Sequence, residues 1–192
     1  MIEGSPVTAI LDASVLYPAL LRNILMRFAV HGLFRVRWST QIHEEWISAL
    51  LRNRPDLTRP RVEHIRNLMD QHIQDALVTG YEARIEAVTL PDINDRHVLA
   101  AAIHCGATVI VTTNLRDFPN AILAGFGLEA LHPDRFILNL VNSDHDAAIA
   151  ALRQLRQSLK NPPLTPTELV AIMERQGLTE SAVAISGFIE TI

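Results

Sequence analysis

Short runs of β-branched and apolar residues alternate in this chain with segments of helical periodicity. The runs lie at 7–11 (VTAIL), 34–38 (FRVRW) and 108–112 (TVIVT), and the first two are followed by apolar residues spaced three and four apart. The runs at 7–11 and 108–112 consist of apolar and β-branched residues, which is typical of strands that are covered on both faces of a parallel sheet. The run at 34–38 alternates apolar and basic residues, which also predicts a strand. Because parallel strands need crossover helices, the pattern predicts an α/β fold with a central, mostly parallel sheet.

The remaining segments have weaker or purely helical patterns. Apolar residues from 62 to 77 predict one helix that runs towards Gly80, and residues 87–90 predict a weak strand. After Leu131 no strand signal follows, and residues 165–168 (TPTE) have the cap, proline and glutamate of a helix start. Helices of this last part are predicted at 134–141, 144–159, 167–175 and from Thr179 onward.

We therefore predict two domains. Residues 1–132 form a domain with three layers, helices, sheet and helices, and residues 133–192 form an all-helical C-terminal extension. The Asn161-Pro162-Pro163 segment is predicted to be a linker within that extension.

The composition indicates a globular protein of the cytoplasm. With 192 residues and 48% hydrophobic content, the chain can bury a sizeable core. No apolar run approaches the roughly 20 residues that span a bilayer, and the first six residues lack the pattern of an export signal. Cys105 is the only cysteine, which excludes an internal disulfide and a cysteine-based zinc cluster.

Positive charge is concentrated in one segment of an acidic chain. The net charge is -4, but residues 22–66 contain nine arginines against four acidic residues. Arginine forms bidentate contacts with phosphates and stacks on bases, so the segment predicts an RNA-binding surface. A solvated helix surface is the alternative that the charges alone leave open. The arginines predicted to contact RNA are Arg22, Arg52, Arg54 and Arg116.

Acidic residues form four clusters along the chain, and three of the clusters lie where a predicted strand ends or a helix begins. In a parallel sheet the carboxyl ends of the strands meet at one crevice, so these carboxylates can come together there. Oxygen ligands of this kind bind Mg²⁺ or Mn²⁺, and the pattern predicts a divalent-metal site. The clusters are Asp12, Glu44/Glu45, Asp92/Asp95 and Asp117.

Each acidic position also has a structural interpretation. Asp12 can cap the helix that follows it, and Asp92 can do the same at a later helix start. Glu45 borders an apolar helix face, where a glutamate is usually solvated. Only one of Glu44 and Glu45 can point inward, because consecutive helical residues diverge by about 100°. The joint occurrence of four clusters favours the metal site.

The spacing of these residues resembles that of the PIN-domain ribonucleases, in particular the VapC-type toxins of bacterial toxin–antitoxin systems. The resemblance covers about residues 7–131, and the helical extension is similar to one found in part of that group. The most specific motifs are Asp-x-x-Asp before an alanine-rich helix and the Thr-Asn-x-x-Asp-Phe-Pro loop. The matching segments are 9–14 (AILDAS), 43–46 (HEEW), 91–102 (PDINDRHVLAAA) and 111–119 (VTTNLRDFP).

The resemblance implies an endoribonuclease that depends on Mg²⁺ or Mn²⁺ and is silenced by an antitoxin protein, with a homodimer as the usual assembly. It implies that Asp12, Glu45, Asp95 and Asp92 bind metal. The implied catalytic residues are Asp12, Glu45, Asp95 and Asp117.

One residue departs from the family pattern. Many relatives have aspartate at the position of Asn114, and an amide binds a hard cation more weakly than a carboxylate does. The number of ions, one or two, therefore stays open, with Ser14, Thr112 and Asn114 expected to support the site. The departure also leaves an alternative function open, a catalytically impaired PIN-like module for binding or assembly.

Overall fold

Five parallel strands form the centre of the computed structural model, which describes residues 6–160 and 162–192. Residues 1–5, at the start of the predicted first domain, and Asn161, in the predicted linker, lie outside the described residues. The strands are β1 (Thr8–Leu11), β2 (Arg35–Ser39), β3 (Leu77–Val78), β4 (Val109–Val111) and β5 (Glu129–Leu131). Their order is β3-β2-β1-β4-β5, and every neighbouring pair is parallel. The predicted α/β fold with a central parallel sheet is confirmed.

β1 lies in the middle of the sheet because both of its faces are apolar. Ala9, Ile10 and Leu11 alternate between the two faces, and all three are fully buried. Ile10 pairs with Arg37 of β2 on one side and with Ile110 of β4 on the other. Other elements therefore cover the sheet on both sides, in agreement with the predicted three layers.

Within the described residues, ten α-helices surround the sheet and build the C-terminal part. They are α1 (Ala13–Leu16), α2 (Ala19–Val30), α3 (Thr40–Asn53), α4 (Arg59–His72), α5 (Arg96–His104), α6 (Asn120–Leu123), α7 (Pro133–Ser143), α8 (His145–Ser158), α9 (Pro166–Arg175) and α10 (Thr179–Ser186). Side chains cap several of them. The Ser39 hydroxyl accepts from the Ile42 N–H at the start of α3, and Thr165 forms a capping box with Glu168 at the start of α9.

The edges of the sheet differ from the sequence prediction. The helix predicted over 62–77 ends at His72, and Leu77 belongs to β3, which pairs with β2. The strand predicted at 87–90 is wrong, because Ala87 ends a 3-10 helix (Glu82–Ala87) and residues 88–90 belong to no strand. The sequence pattern also does not predict β5. Edge strands of two or three residues are stabilised by pairing with a neighbour, so their own residues need no apolar periodicity.

The predicted helical C-terminal part is confirmed as α7 to α10, and it packs on the sheet region. Phe136 of α7 contacts Phe34 edge to face, with 5.0 Å between the ring centroids. The buried Asp134 carboxylate accepts from the backbone N–H groups of Glu180 and Ser181, at 2.9 and 2.8 Å, and so caps α10 from α7. None of the described helices has both the length and the apolar character needed to cross a membrane.

Candidate metal-binding site

Three carboxylates from two separate turns meet near the carboxyl end of β4. Asp92 caps and Asp95 ends a 3-10 turn that leads into α5, and Asp117 ends a 3-10 turn that follows β4. One carboxylate oxygen of each residue lies within 4.8 Å of those of the other two. We name Asp92, Asp95 and Asp117 the acidic trio. Carboxylate oxygens at this separation fit the ligand preference of Mg²⁺ or Mn²⁺.

Asp95 is partly buried among other acidic side chains. It is half-buried, and no described residue donates a hydrogen bond to its side chain. Burial, followed by the charges of Asp12, Asp92, Asp117 and Glu45, raises the pKa of Asp95 to about 6. A bound cation would relieve this repulsion, which is a second reason why a divalent metal fits the site.

Asp12 lies at the carboxyl end of β1 and is held by three donors. Its Oδ1 accepts from the Ala13 N–H at 2.7 Å. Its Oδ2 accepts from the Ser14 hydroxyl at 2.6 Å and from the Thr112 hydroxyl at 2.8 Å. The carboxylate is 6% exposed, caps α1 and also contributes to the charge around Asp95. Its cap role is therefore compatible with a place beside the trio, although it is not one of the three closest carboxylates.

The predicted supporting residues meet in the loop after β4. The Ser14 hydroxyl accepts from the Thr113 N–H at 3.1 Å, and the Thr112 hydroxyl accepts from the Asn114 N–H at 3.0 Å. The Asn114 side-chain amide donates to the Asp117 carboxylate. The first of these hydrogen bonds joins the end of β1 to the loop after β4, and the other two hold that loop together up to Asp117. The three bonds therefore orient Asp117 relative to Asp12.

Glu44 and Glu45 of α3 have different partners. The exposed Glu44 carboxylate accepts from the guanidinium of Arg59 at 2.7 Å, and this ion pair lowers the pKa of Glu44. Oε1 of Glu45 instead lies 2.7 Å from Nε2 of His97, a buried residue of α5. Glu45 thus faces α5 and the trio, and Glu44 faces solvent, which agrees with the expectation that only one of them points inward.

A buried polar network fixes α3 against α4. Nδ1 of His43 accepts from the indole N–H of Trp46 at 2.9 Å, so Nε2 carries the hydrogen and donates to Asp70 at 3.2 Å. Asp70 also accepts from the indole N–H of Trp38 at 2.8 Å. Burial lowers the pKa of His43 to about 4, so the imidazole is neutral at physiological pH. The sequence pattern does not predict this network, because its members are remote in the chain.

The prediction that Arg22 contacts RNA is contradicted by its burial. Arg22 is 5% exposed, its Nη1 donates to the Leu16 carbonyl at 2.5 Å, and its guanidinium lies 4.9 Å from the centroid of the Trp46 ring. Burial lowers the pKa of Arg22 to about 10. The side chain therefore joins α2 to α1 and α3 and has no free face for a phosphate.

The other three predicted RNA contacts are exposed. Arg116 lies beside Asp117 of the trio, and Arg52 and Arg54 lie at the end of α3. Arg54 forms a bidentate ion pair with Asp56, at 2.8 and 2.6 Å. Arg52 and Arg116 thus offer the more available positive charges.

His97 is the residue near the site that the sequence analysis assigns no role. It lies in the predicted motif at 91–102, but its contact with Glu45 joins two distant segments. No local spacing signals such a contact. Only the packing of α5 on the rest of the domain could have identified it.

Comparisons with known proteins agree with the geometry. A family model described as the PIN domain matches residues 8–116, and one described as the VapC50 C-terminal domain matches residues 133–187. A curated relative from Mycobacterium tuberculosis (strain ATCC 25618 / H37Rv), named "Putative ribonuclease VapC50", is 39% identical over 101 residues. That match covers 53% of this chain and 59% of the relative, so the chain spans less than two thirds of the relative's length. No solved structure matches the chain.

Proposed function

The chain belongs to the PIN-domain family, and on that premise we propose that it is a divalent-metal-dependent endoribonuclease that acts as the toxin of a toxin–antitoxin pair. The observation that carries the proposal is the acidic trio, with Asp12 and Glu45 close enough to act on Asp95. A site so dense in negative charge would repel an RNA phosphate unless a cation were present. The name of the relative, "Putative ribonuclease VapC50", supports the same activity.

The trio would hold Mg²⁺ or Mn²⁺ through one oxygen each, with Asp12 and Glu45 completing the acidic surroundings. Such a cation, when bound, stabilises charge on the phosphoryl oxygens and lowers the pKa of a water molecule. Asp12 is oriented by the hydroxyls of Ser14 and Thr112, which donate to it. Asp12, held by Ser14 and Thr112, therefore forms an oriented, negatively charged side of the site.

We propose that one ion binds to the trio. Asn114 uses its amide N–H to donate to Asp117, and that donor group cannot bind a cation. Asn114 therefore orients a ligand, whereas an aspartate at the same position would be a ligand itself. A second ion, if RNA recruits one, would have to take part of its ligands from the RNA phosphate.

Arg116 is proposed to contact the RNA backbone next to the scissile phosphate, and Arg52 and Arg54 to contact it further away. Arg116 is adjacent in sequence to a trio residue and is exposed. Phosphate contacts of this kind position the RNA and do not select its sequence.

An antitoxin partner is proposed because the matched relative and C-terminal model are both of the VapC50 type. We also propose a homodimer, for which the apolar segments 16–28 and 62–77, which include most of α2 and α4, are the candidate faces. Part of α2 already packs on α8, and Nε2 of His31, the C-cap of α2, lies 3.1 Å from Oε1 of Gln154, so the extension takes some of the α2 surface. Any dimer contact through α2 would have to use the remainder.

Metal-dependent cleavage of RNA by trio variants tests the proposal. Asp95→Asn and Asp117→Asn should lose both Mn²⁺ binding and Mn²⁺-stimulated cleavage of a fluorescent RNA, because each removes an anionic ligand. Glu44→Gln is the matched control, since it removes an acidic charge on the same domain outside the site. Residual cleavage equal to that of the unaltered protein would identify a contaminating nuclease. Metal and RNA binding without cleavage by the unaltered protein would instead favour the impaired module.

A further inference from the structure

His97 is a buried histidine with no hydrogen-bond partner. Its side chain is 2% exposed, and neither Nδ1 nor Nε2 forms a hydrogen bond within the described part of the chain. Burying an imidazole without partners costs free energy, so such a group in a folded protein needs an explanation. His97 follows Asp95 by two residues, in the first turn of α5.

The nearest polar neighbour of His97 is a carboxylate. Nε2 of His97 and Oε1 of Glu45 are 2.7 Å apart, the distance of a charge-assisted contact, but the N–H is not aligned with the oxygen. An ionised carboxylate only accepts hydrogen bonds, so at this distance Nε2 must carry the hydrogen. The contact links α5, which begins beside the trio, to α3.

The other polar residues around Glu45 on α3 already have partners. His43 is bonded to Trp46 and Asp70, and Glu44 is bonded to Arg59. Glu45 is therefore the α3 side chain available to the trio, and His97 is the α5 side chain that contacts it. The Glu45 carboxylate is partly exposed, so without such a contact it would be free to turn to solvent.

We propose that His97 is a positioning residue, whose imidazole N–H keeps the Glu45 carboxylate directed towards the acidic trio so that Glu45 shares the cation bound there. This inference rests on the proposed metal site. It assigns His97 no contact with RNA or metal, and its effect passes entirely through Glu45. A neighbour that orients a metal-binding carboxylate typically affects metal affinity by about 10- to 100-fold.

A double-mutant cycle on Mn²⁺ affinity tests the inference. His97→Leu removes the N–H, and His97→Gln retains a donor. Each substitution is made both in the unaltered protein and in the Glu45→Gln variant. Mn²⁺ binding to the RNA-free protein is measured by calorimetry, with thermal unfolding in EDTA as the check on folding. His104→Leu, at the exposed end of the same helix, is the matched control.

We expect His97→Leu to weaken Mn²⁺ binding about 10-fold and His97→Gln to restore most of the loss. In the Glu45→Gln background His97→Leu should cause no further loss, because the residue it positions is already neutral. Equal losses in both backgrounds, or an unchanged affinity in His97→Leu, would overturn the inference. If His97→Leu does not fold, His97→Met, a flexible apolar replacement that also removes the N–H, takes its place in the same cycle, and the same outcomes support or overturn the inference.

The outcome is separable from the fate of the proposed function. Mn²⁺ binding without RNA cleavage by the unaltered protein would refute the nuclease and still leave the cycle to decide the role of His97. Normal RNA cleavage by the unaltered protein, combined with losses of Mn²⁺ affinity that add up in the double variant, would refute only the role of His97. An unaltered protein that binds no Mn²⁺ would overturn both.

Discussion

Replacing Asp95 with asparagine is expected to stabilise the metal-free protein near neutral pH. Burial and the neighbouring carboxylates raise the pKa of Asp95 from 3.8 to about 6, so the ionised side chain disfavours the folded state. A difference of about two pKa units corresponds to about 3 kcal/mol. Solvent screening at a half-buried carboxylate reduces the expected gain to about 1–2 kcal/mol. Asparagine loses no hydrogen bond here, because no described residue donates one to the Asp95 carboxylate.

The gain has a definite pH dependence. The folded protein binds the Asp95 proton more tightly than the unfolded chain does, so this carboxyl contributes stability below pH 3.8 that is lost as the pH rises through about 6. Asparagine is neutral throughout. The advantage of Asp95→Asn should therefore be complete above about pH 7 and disappear near pH 4.

Urea unfolding in EDTA, monitored by circular dichroism at both ends of this pH range, measures the effect. Glu44→Gln is the control, because its pKa is lowered by Arg59 and removing its charge should give no gain. Adding Mn²⁺ should raise the midpoint of the unaltered protein and leave that of Asp95→Asn nearly unchanged. The reasoning is refuted if Asp95→Asn is no more stable near neutral pH, or if its gain is the same at both pH values.

Four further predictions concern Asp134, Arg22, Arg116 and Asn114. Asp134→Ala removes the cap of α10 and should lower the free energy of unfolding by about 1–3 kcal/mol in urea titrations; a loss of helix content without loss of stability would contradict this. Arg22→Met should cost about 1–3 kcal/mol because it leaves a buried carbonyl unpaired, with unchanged RNA affinity of the folded protein. Arg116→Gln should change the free energy of unfolding by no more than about 0.5 kcal/mol and reduce the salt dependence of RNA binding by about one unit of slope. Anisotropy titrations of RNA binding by both variants, at several salt concentrations, distinguish the role of Arg116 from that of Arg22. Asn114→Asp should tighten Mn²⁺ binding in calorimetry and lower the unfolding temperature in EDTA, because it places a second charge beside Asp117; an unchanged affinity would argue against this position as a potential ligand.

The fold was predictable where the signal is local. β1 and β4 are short, apolar and covered on both faces, so their residues carry the pattern of a buried strand. The capping box of Thr165 and Glu168 is also local, since the bonds join residues three apart. β3 and β5 were not predictable, because hydrogen bonds to the neighbouring strand define them and their own few residues do not.

The site was predictable in its residue types but not in its grouping. Carboxylates at strand ends and helix starts indicate a metal site, yet spacing cannot decide which of them approach within 4.8 Å. Asp92, for which the sequence leaves both a cap role and a ligand role open, belongs to the trio, and Asp12 lies beside the trio and accepts three hydrogen bonds. Arg22 was misassigned for the same reason, since burial depends on the helices that pack around a side chain.

The alternation of strands and helices, the helical C-terminal part and the acidic residues of the candidate metal site can all be predicted from the amino-acid sequence. These features follow from hydrogen bonding along the chain and from the periodic burial of apolar residues. The tertiary structure alone decided that Asp92, Asp95 and Asp117 meet, that Glu45 contacts His97 and that Arg22 is buried. Such contacts join residues far apart in the chain, so they depend on how the elements pack and not on any local pattern.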